Sequence, residues 1–145
     1  RARDGAVIPI FVKKAINGEP LTIAGDGSQF RKFVYVEDLA EGNVLALKSI
    51  ASNKTYNIDG IEKITIKQIA ETIQKIIGNV KIEYVPARTG DFSGKEVSSE
   101  RAKEELGWVP MTSFNEGLKK YIDWYIQCER KREIDKKRLD DILKE

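Results

Sequence analysis

The sequence predicts a mixed α/β fold in which short strands alternate with several helices. Three observations carry that expectation. Apolar residues recur at helical spacing over residues 7–16, 66–77 and 114–126. The run Val80-Lys81-Ile82-Glu83-Tyr84 alternates apolar with charged residues, the pattern of a half-buried strand. Gly18, Gly78 and Gly107 stand just past helical segments, where a chain commonly leaves a helix.

In chain order, Val7, Ile8, Ile10, Phe11, Ala15 and Ile16 form the first helical stripe, with Pro9 tolerated in the first turn. Leu21-Thr22-Ile23 is a short strand that enters the turn Gly25-Asp26-Gly27. Asp-Gly is a hairpin pair, so the turn predicts a hairpin. Phe33, Val34, Tyr35 and Val36 favour a strand after it. Asp38, with Glu41 three residues on, reads as the cap of a helix running from Leu39 to Ser49. Thr55-Tyr56-Asn57-Ile58 reads as another strand. Thr65 with Gln68 is a capping box for a helix through Ile77, and Ser113 with Glu116 is a second one. A loop over 86–97 and a short helix from about Ser99 to Leu106, capped by Ser98 or Ser99, lie between them. Beyond Cys128 charged residues alternate with sparse apolar ones, as in a solvated helix or a frayed tail. The division expected is a domain over 1–128 and a charged helical tail over 129–145.

Composition excludes several function classes. At 145 residues and 41% hydrophobic content, the chain suits one packed domain or a piece of a larger one. With 25 basic against 23 acidic residues, it lacks the charge excess of a nucleic-acid binder. A single cysteine cannot form an internal disulfide, which fits a cytoplasmic location, and no apolar run is long enough for a membrane span. There is no histidine, so His-based triads and the usual zinc ligand sets are absent, and no metal site is expected. Gly25-x-Gly27 lacks the third glycine of a dinucleotide fingerprint. No set of residues assembles a nucleophile, a base and an oxyanion site, so the chain reads as a binding domain without catalytic residues. Arg31, just past a glycine turn on a rigid strand, is well placed to present its guanidinium to a phosphate. The plainer reading is a hairpin carrying one solvated arginine.

Several motifs then occur in succession. Val7-Ile8-Pro9-Ile10-Phe11, Gly18-Glu19-Pro20-Leu21-Thr22-Ile23 and the stretch from Gly25 to Ala40 are followed by Tyr56-Asn57-Ile58. Arg88-Thr89-Gly90-Asp91 and the run from Ala102 to Pro110 come next. Together they resemble the NAD-dependent epimerase/dehydratase family of extended short-chain dehydrogenases, and most of all its UDP-glucose 4-epimerases. The resemblance covers about residue 5 to residue 126. It implies the C-terminal, substrate-binding part of such an enzyme. The NAD-binding glycine loop and the catalytic Tyr-x-x-x-Lys would lie in a preceding Rossmann domain, so the chain alone is expected to be inactive and to bind no cofactor.

By the same resemblance, Arg31 contacts the diphosphate of a UDP- or dTDP-sugar, while Arg88 and Asp91 hold phosphate and ribose. Thr22, Ile23 and Ala24 form the strand whose backbone faces the base, and Val7 is an apolar contact near that site. Lys32 stands where the family usually has Asp, and either re-aims Arg31 or adds a second cation. Residues 34–60 are expected to pack on the Rossmann domain. Without it, exposed apolar surface implies self-association or a partner chain. Within the family the alternatives are a dehydratase or a decarboxylase. The alternative of another class is a stand-alone interaction module that uses the charged C-terminal helix.

Overall fold

The structure, a computed structural model, describes residues 6–87, 94 and 97–142, with 138–142 described by backbone only. Helix α1 (Val7–Ile16) leads into β1 (Leu21–Ala24) and β2 (Phe30–Lys32). Helix α2 (Val36–Leu45) follows, then a 3-10 turn over Ser49–Ala51, β3 (Lys63–Thr65) and α3 (Ile66–Ile77). Strand β4 (Ile82–Val85), α4 (Glu100–Leu106) and α5 (Phe114–Ile142) complete the order. Helix α5 continues through the charged region without a break at Cys128.

Local signals set most helix ends. Thr65 Oγ1 accepts from the Gln68 N–H at 3.1 Å, and Gln68 Oε1 accepts from the Thr65 N–H at 2.8 Å, so both halves of that capping box form. Ser113 Oγ accepts from the Glu116 N–H at 3.3 Å at the start of α5. Gly107 ends α4 in the left-handed conformation. The main core joins the buried faces of α1, α3 and α5 to Leu21 and Ile23 of β1 and Ile64 of β3. A smaller cluster gathers Ala51, Ala102, Leu106 and Trp108.

Strand pairing departs from the sequence expectation. The Asp26-Gly27 turn does not close a hairpin. β1 pairs with β4 in parallel, Leu21 opposite Ile82 through Ala24 opposite Val85, while β2 pairs antiparallel with β3, Arg31 opposite Ile64. The turn instead carries the chain from one small sheet to the other. Gly27 fits it because its φ is +73° and an added Cβ would lie 2.8 Å from Ile23 Cγ2.

No ladder forms over 33–36. Phe33 stacks on Phe114 with centroids 5.5 Å apart, and helix α2 already begins at Val36. Gly60 packs so closely on this stretch that a Cβ there would lie 2.0 Å from the Phe33 carbonyl oxygen. Residues 55–58 are likewise not a strand, because no neighbouring strand reaches them. Tyr56 and Ile58 pack on the Trp108 cluster. Tyr84 is exposed, so only part of the expected alternation in β4 faces the core.

Asp38 is not the helix cap its spacing to Glu41 suggests. The N-cap is Tyr35, and Asp38 lies in the first turn with only 6% of its surface exposed. Its carboxylate accepts from Met111 N–H (3.2 Å), Thr112 N–H (2.9 Å) and the Thr112 hydroxyl (3.2 Å). Its carbonyl accepts from Trp108 Nε1 at 2.8 Å. These bonds fix the segment before α5 against the start of α2.

Candidate nucleotide site at the ends of the parallel strands

β1 and β4 run in parallel, and ligands commonly bind beyond the C-terminal ends of parallel strands. Beyond β1 the chain turns through Gly25–Gln29 to Arg31. Beyond β4 it continues towards Arg88 and Asp91, which lie outside the described residues. Gly94, three residues past Asp91, lies against the Phe30 ring, where a Cβ would come within 2.7 Å. Gly94 therefore lies beside the strand that carries Arg31.

Arg31 is exposed on β2, and its Nη1 donates to the Phe30 carbonyl at 2.6 Å. Neighbouring strand residues face opposite sides. Lys32 accordingly turns away from Arg31 and lines a cleft of about 490 Å³ with Asp59, Ser98 and Trp108. It does not add a second cation beside the arginine.

The backbone of β1 divides its residues in two. Leu21 N–H donates to the Lys81 carbonyl and Gly25 N–H to the Val85 carbonyl, so alternate residues from Leu21 onward face β4. Thr22 and Ala24 therefore turn their backbone groups to the strand's other edge, which pairs with no strand among the described residues. Ile23 faces β4 and its side chain is 0% exposed, so the structure does not bring it to this edge. Val7 opens α1 and packs half-buried on the main core.

Two further side chains reach the edge. Lys14 Nζ, from the last turn of α1, donates to Thr22 Oγ1 at 2.9 Å. Gln29 Nε2 donates to the Ala24 carbonyl at 3.3 Å. The sequence carries no local sign of either contact, since both depend on how α1 and the glycine turn meet β1.

The glycine turn is followed by β2 and not by the helix that a dinucleotide fingerprint opens. The first N–H groups of α3 are already taken: Ile66 donates to the Gln29 carbonyl at 2.9 Å and Lys67 to the Gly27 carbonyl at 3.1 Å. No donors remain there for a pyrophosphate. Among the described residues there is also no group of three or more acidic or cysteine side chains placed to hold a metal. None of the described helices is long and apolar enough to cross a membrane.

A second surface lies on α2. Val36, Ala40, Val44 and Leu47 follow one another at helical spacing along and just past α2. Val36 is 66%, Val44 65% and Leu47 85% exposed. An apolar cavity of about 300 Å³ adjoins Val36 and is lined by Ile8, Pro9, Tyr35, Phe114 and Tyr121, among others.

Short strands and helices in this arrangement match a C-terminal portion of the extended short-chain dehydrogenase epimerases. A family model described as "NAD dependent epimerase/dehydratase family" matches residues 1–59, and the chain is similar to members of that family. A UDP-glucose 4-epimerase from Thermotoga maritima, solved with UDP-glucose, is 32% identical with a TM-score of 0.80, covering 88% of this chain and 41% of its own. A dTDP-glucose 4,6-dehydratase of Neisseria gonorrhoeae is 29% identical, over 88% of this chain and 40% of its own length. UDP-glucuronic acid decarboxylase 1 of Danio rerio is 35% identical, over 84% and 29%. The chain thus spans less than half the length of each of these relatives.

Proposed function

We propose that the chain is the nucleotide-sugar-binding half of an NAD-dependent sugar epimerase of the UDP-glucose 4-epimerase type. The observation that carries this reading is the exposed Arg31 guanidinium on a rigid strand, beside the C-terminal ends of two parallel strands. An arginine there suits a diphosphate, to which it can donate through two N–H groups at once. Arg88 and Asp91 supply a second cation and a ribose-binding carboxylate from the chain after β4. Val7, Thr22 and Ala24 border the base, whereas Ile23 supports the strand from within the core. NAD and the catalytic tyrosine belong to the preceding domain of the longer enzyme, where bound NAD supplies hydride chemistry.

We assign residues 34–60 to the contact with that domain, on the strength of the exposed stripe on α2. A chain without the domain is expected to self-associate through the stripe. The division into a binding domain over 1–128 and a tail over 129–145 belongs to the same proposal, with the tail as an extension of α5. A cytoplasmic location agrees with nucleotide-sugar chemistry. A dehydratase or decarboxylase is the second reading, favoured by relatives of both kinds.

Calorimetric titration with UDP, dTDP and NAD tests the proposal. Saturable binding of UDP or dTDP without binding of NAD is the expected result. Binding of NAD alone, or of none of the three, would remove it.

A further inference from the structure

Helix α5 outruns the core that its first turns complete. Phe114, Leu118 and Ile122 are buried there, whereas every residue over 130–137 is exposed. The apolar spacing does not stop where the core stops. Tyr121, Tyr125 and Cys128 follow one another at steps of four and three, and Leu139 and Ile142 resume the same steps further along the helix. The two positions between them on that spacing are Arg132 and Asp135. The stripe therefore has an apolar stretch at each end, with one cation and one anion at its middle. An exposed helix gains from such a stripe only when another element covers it.

The middle pair selects the covering element and its direction. Two copies of α5 aligned in parallel would set Arg132 against Arg132 and Asp135 against Asp135, like charge on like. Two antiparallel copies, centred between residues 133 and 134, set Arg132 of each copy against Asp135 of the other. The same register puts Cys128 opposite Leu139 and Tyr125 opposite Ile142, so apolar positions meet at both ends. On one flank Glu129 meets Lys136, which favours the pairing, and on the other Lys131 meets Arg138, which opposes it in part. Arg132 already donates through Nη1 to Glu129 of its own helix, which holds the guanidinium and leaves further N–H groups for a carboxylate. Trp124, 57% exposed and stacked on Tyr121 at 5.7 Å, borders the same seam.

We propose that α5 is a self-pairing element. Two copies of this chain associate through antiparallel α5 helices over residues 125–142, and the Arg132–Asp135 pairs fix both direction and register. This stands apart from the nucleotide-sugar reading and from the stripe on α2.

The test is sedimentation equilibrium over a concentration series. It uses the full chain carrying Val44→Asp and Leu47→Asp, so that the α2 stripe does not contribute. The series should rise to twice the mass of the chain. Arg132→Asp alone, or Asp135→Arg alone, sets like charges together and should weaken association at least about tenfold. The two changes combined restore opposite charges in each layer and should return association to within about threefold of the parent. Direction is read separately with Leu139→Cys. Cys128 and position 139 lie about 16 Å apart along one helix, too far to bridge within a chain. Mild oxidation should therefore give a covalent dimer with Leu139→Cys and none with Cys128 alone. A chain that stays monomeric throughout the series would overturn the proposal. So would a dimer that survives both single reversals, a combined variant that stays monomeric, or a covalent dimer formed through Cys128 alone.

Discussion

Removal of the Asp38 carboxylate should destabilise the fold more than any other single truncation of a polar side chain. Asp38→Ala leaves the N–H groups of Met111 and Thr112 without their acceptor, and leaves the Thr112 hydroxyl unbound. A buried donor stranded in this way costs roughly 1–3 kcal/mol. Met111 is 72% exposed, so its N–H can turn to water, and the part-buried Thr112 groups carry most of the loss, about 2 kcal/mol. For a chain of this length that corresponds to a fall of roughly 6 °C in Tm. Asp38→Asn keeps one oxygen able to accept from Thr112 N–H, and should lose only about 1 kcal/mol. Urea unfolding followed by circular dichroism measures both. A loss below about 0.5 kcal/mol for Asp38→Ala, the range of ordinary surface changes, would refute the reasoning.

Three other outcomes follow from the same structure. Glu105 accepts from Lys54 Nζ (2.8 Å), the Tyr56 hydroxyl (2.6 Å) and Arg101 Nε (3.2 Å), and these donors, Lys54 foremost, hold its carboxyl down to about 2. A depressed carboxyl stabilises the fold above its unfolded value and loses that contribution as pH falls, here between about 4.5 and 2. Glu105→Gln should flatten the stability profile in that window, as read by melting at stepped pH, whereas an unchanged slope would count against the network. Gly60→Ala forces a Cβ to within 2.0 Å of a backbone oxygen, so a soluble, fully folded variant with unchanged Tm would contradict the close approach at Phe33. Leu47→Asp and Val44→Asp should shift the chain towards monomer in light scattering, while a monodisperse monomer before substitution would remove the proposed role of the stripe.

The legible parts of the fold are those decided within a few residues. The Thr65–Gln68 box and the Gly107 stop need only near neighbours, and both form as read. Strand partners are a different matter. Asp26-Gly27 has hairpin chemistry, yet β1 takes β4 as its partner, more than fifty residues away in sequence. Residues 55–58 have the side chains of a strand, but a strand also needs a neighbour, and Glu105 and Trp108 receive Tyr56 and Ile58 instead. Asp38 misled for a related reason, because the same spacing to Glu41 serves a local cap or a carboxylate that bonds seventy residues on. At the site, the exposure of Arg31 on a strand was readable from its setting. Lys14 and Gln29 were not, since their contacts with Thr22 and Ala24 arise only when helix, turn and strand are assembled.

The central claim is that Arg31 grips the diphosphate of a nucleotide sugar. Calorimetric titration with UDP on Arg31→Ala and Lys32→Ala, side by side, tests it most directly. The two residues are neighbours in sequence on opposite faces of β2, so charge loss is matched and only position differs. The account predicts that Arg31→Ala weakens UDP binding by at least about tenfold, the worth of one charge-assisted contact, and that Lys32→Ala leaves it within about twofold. Equal loss in both variants, or undiminished binding by Arg31→Ala, would contradict it.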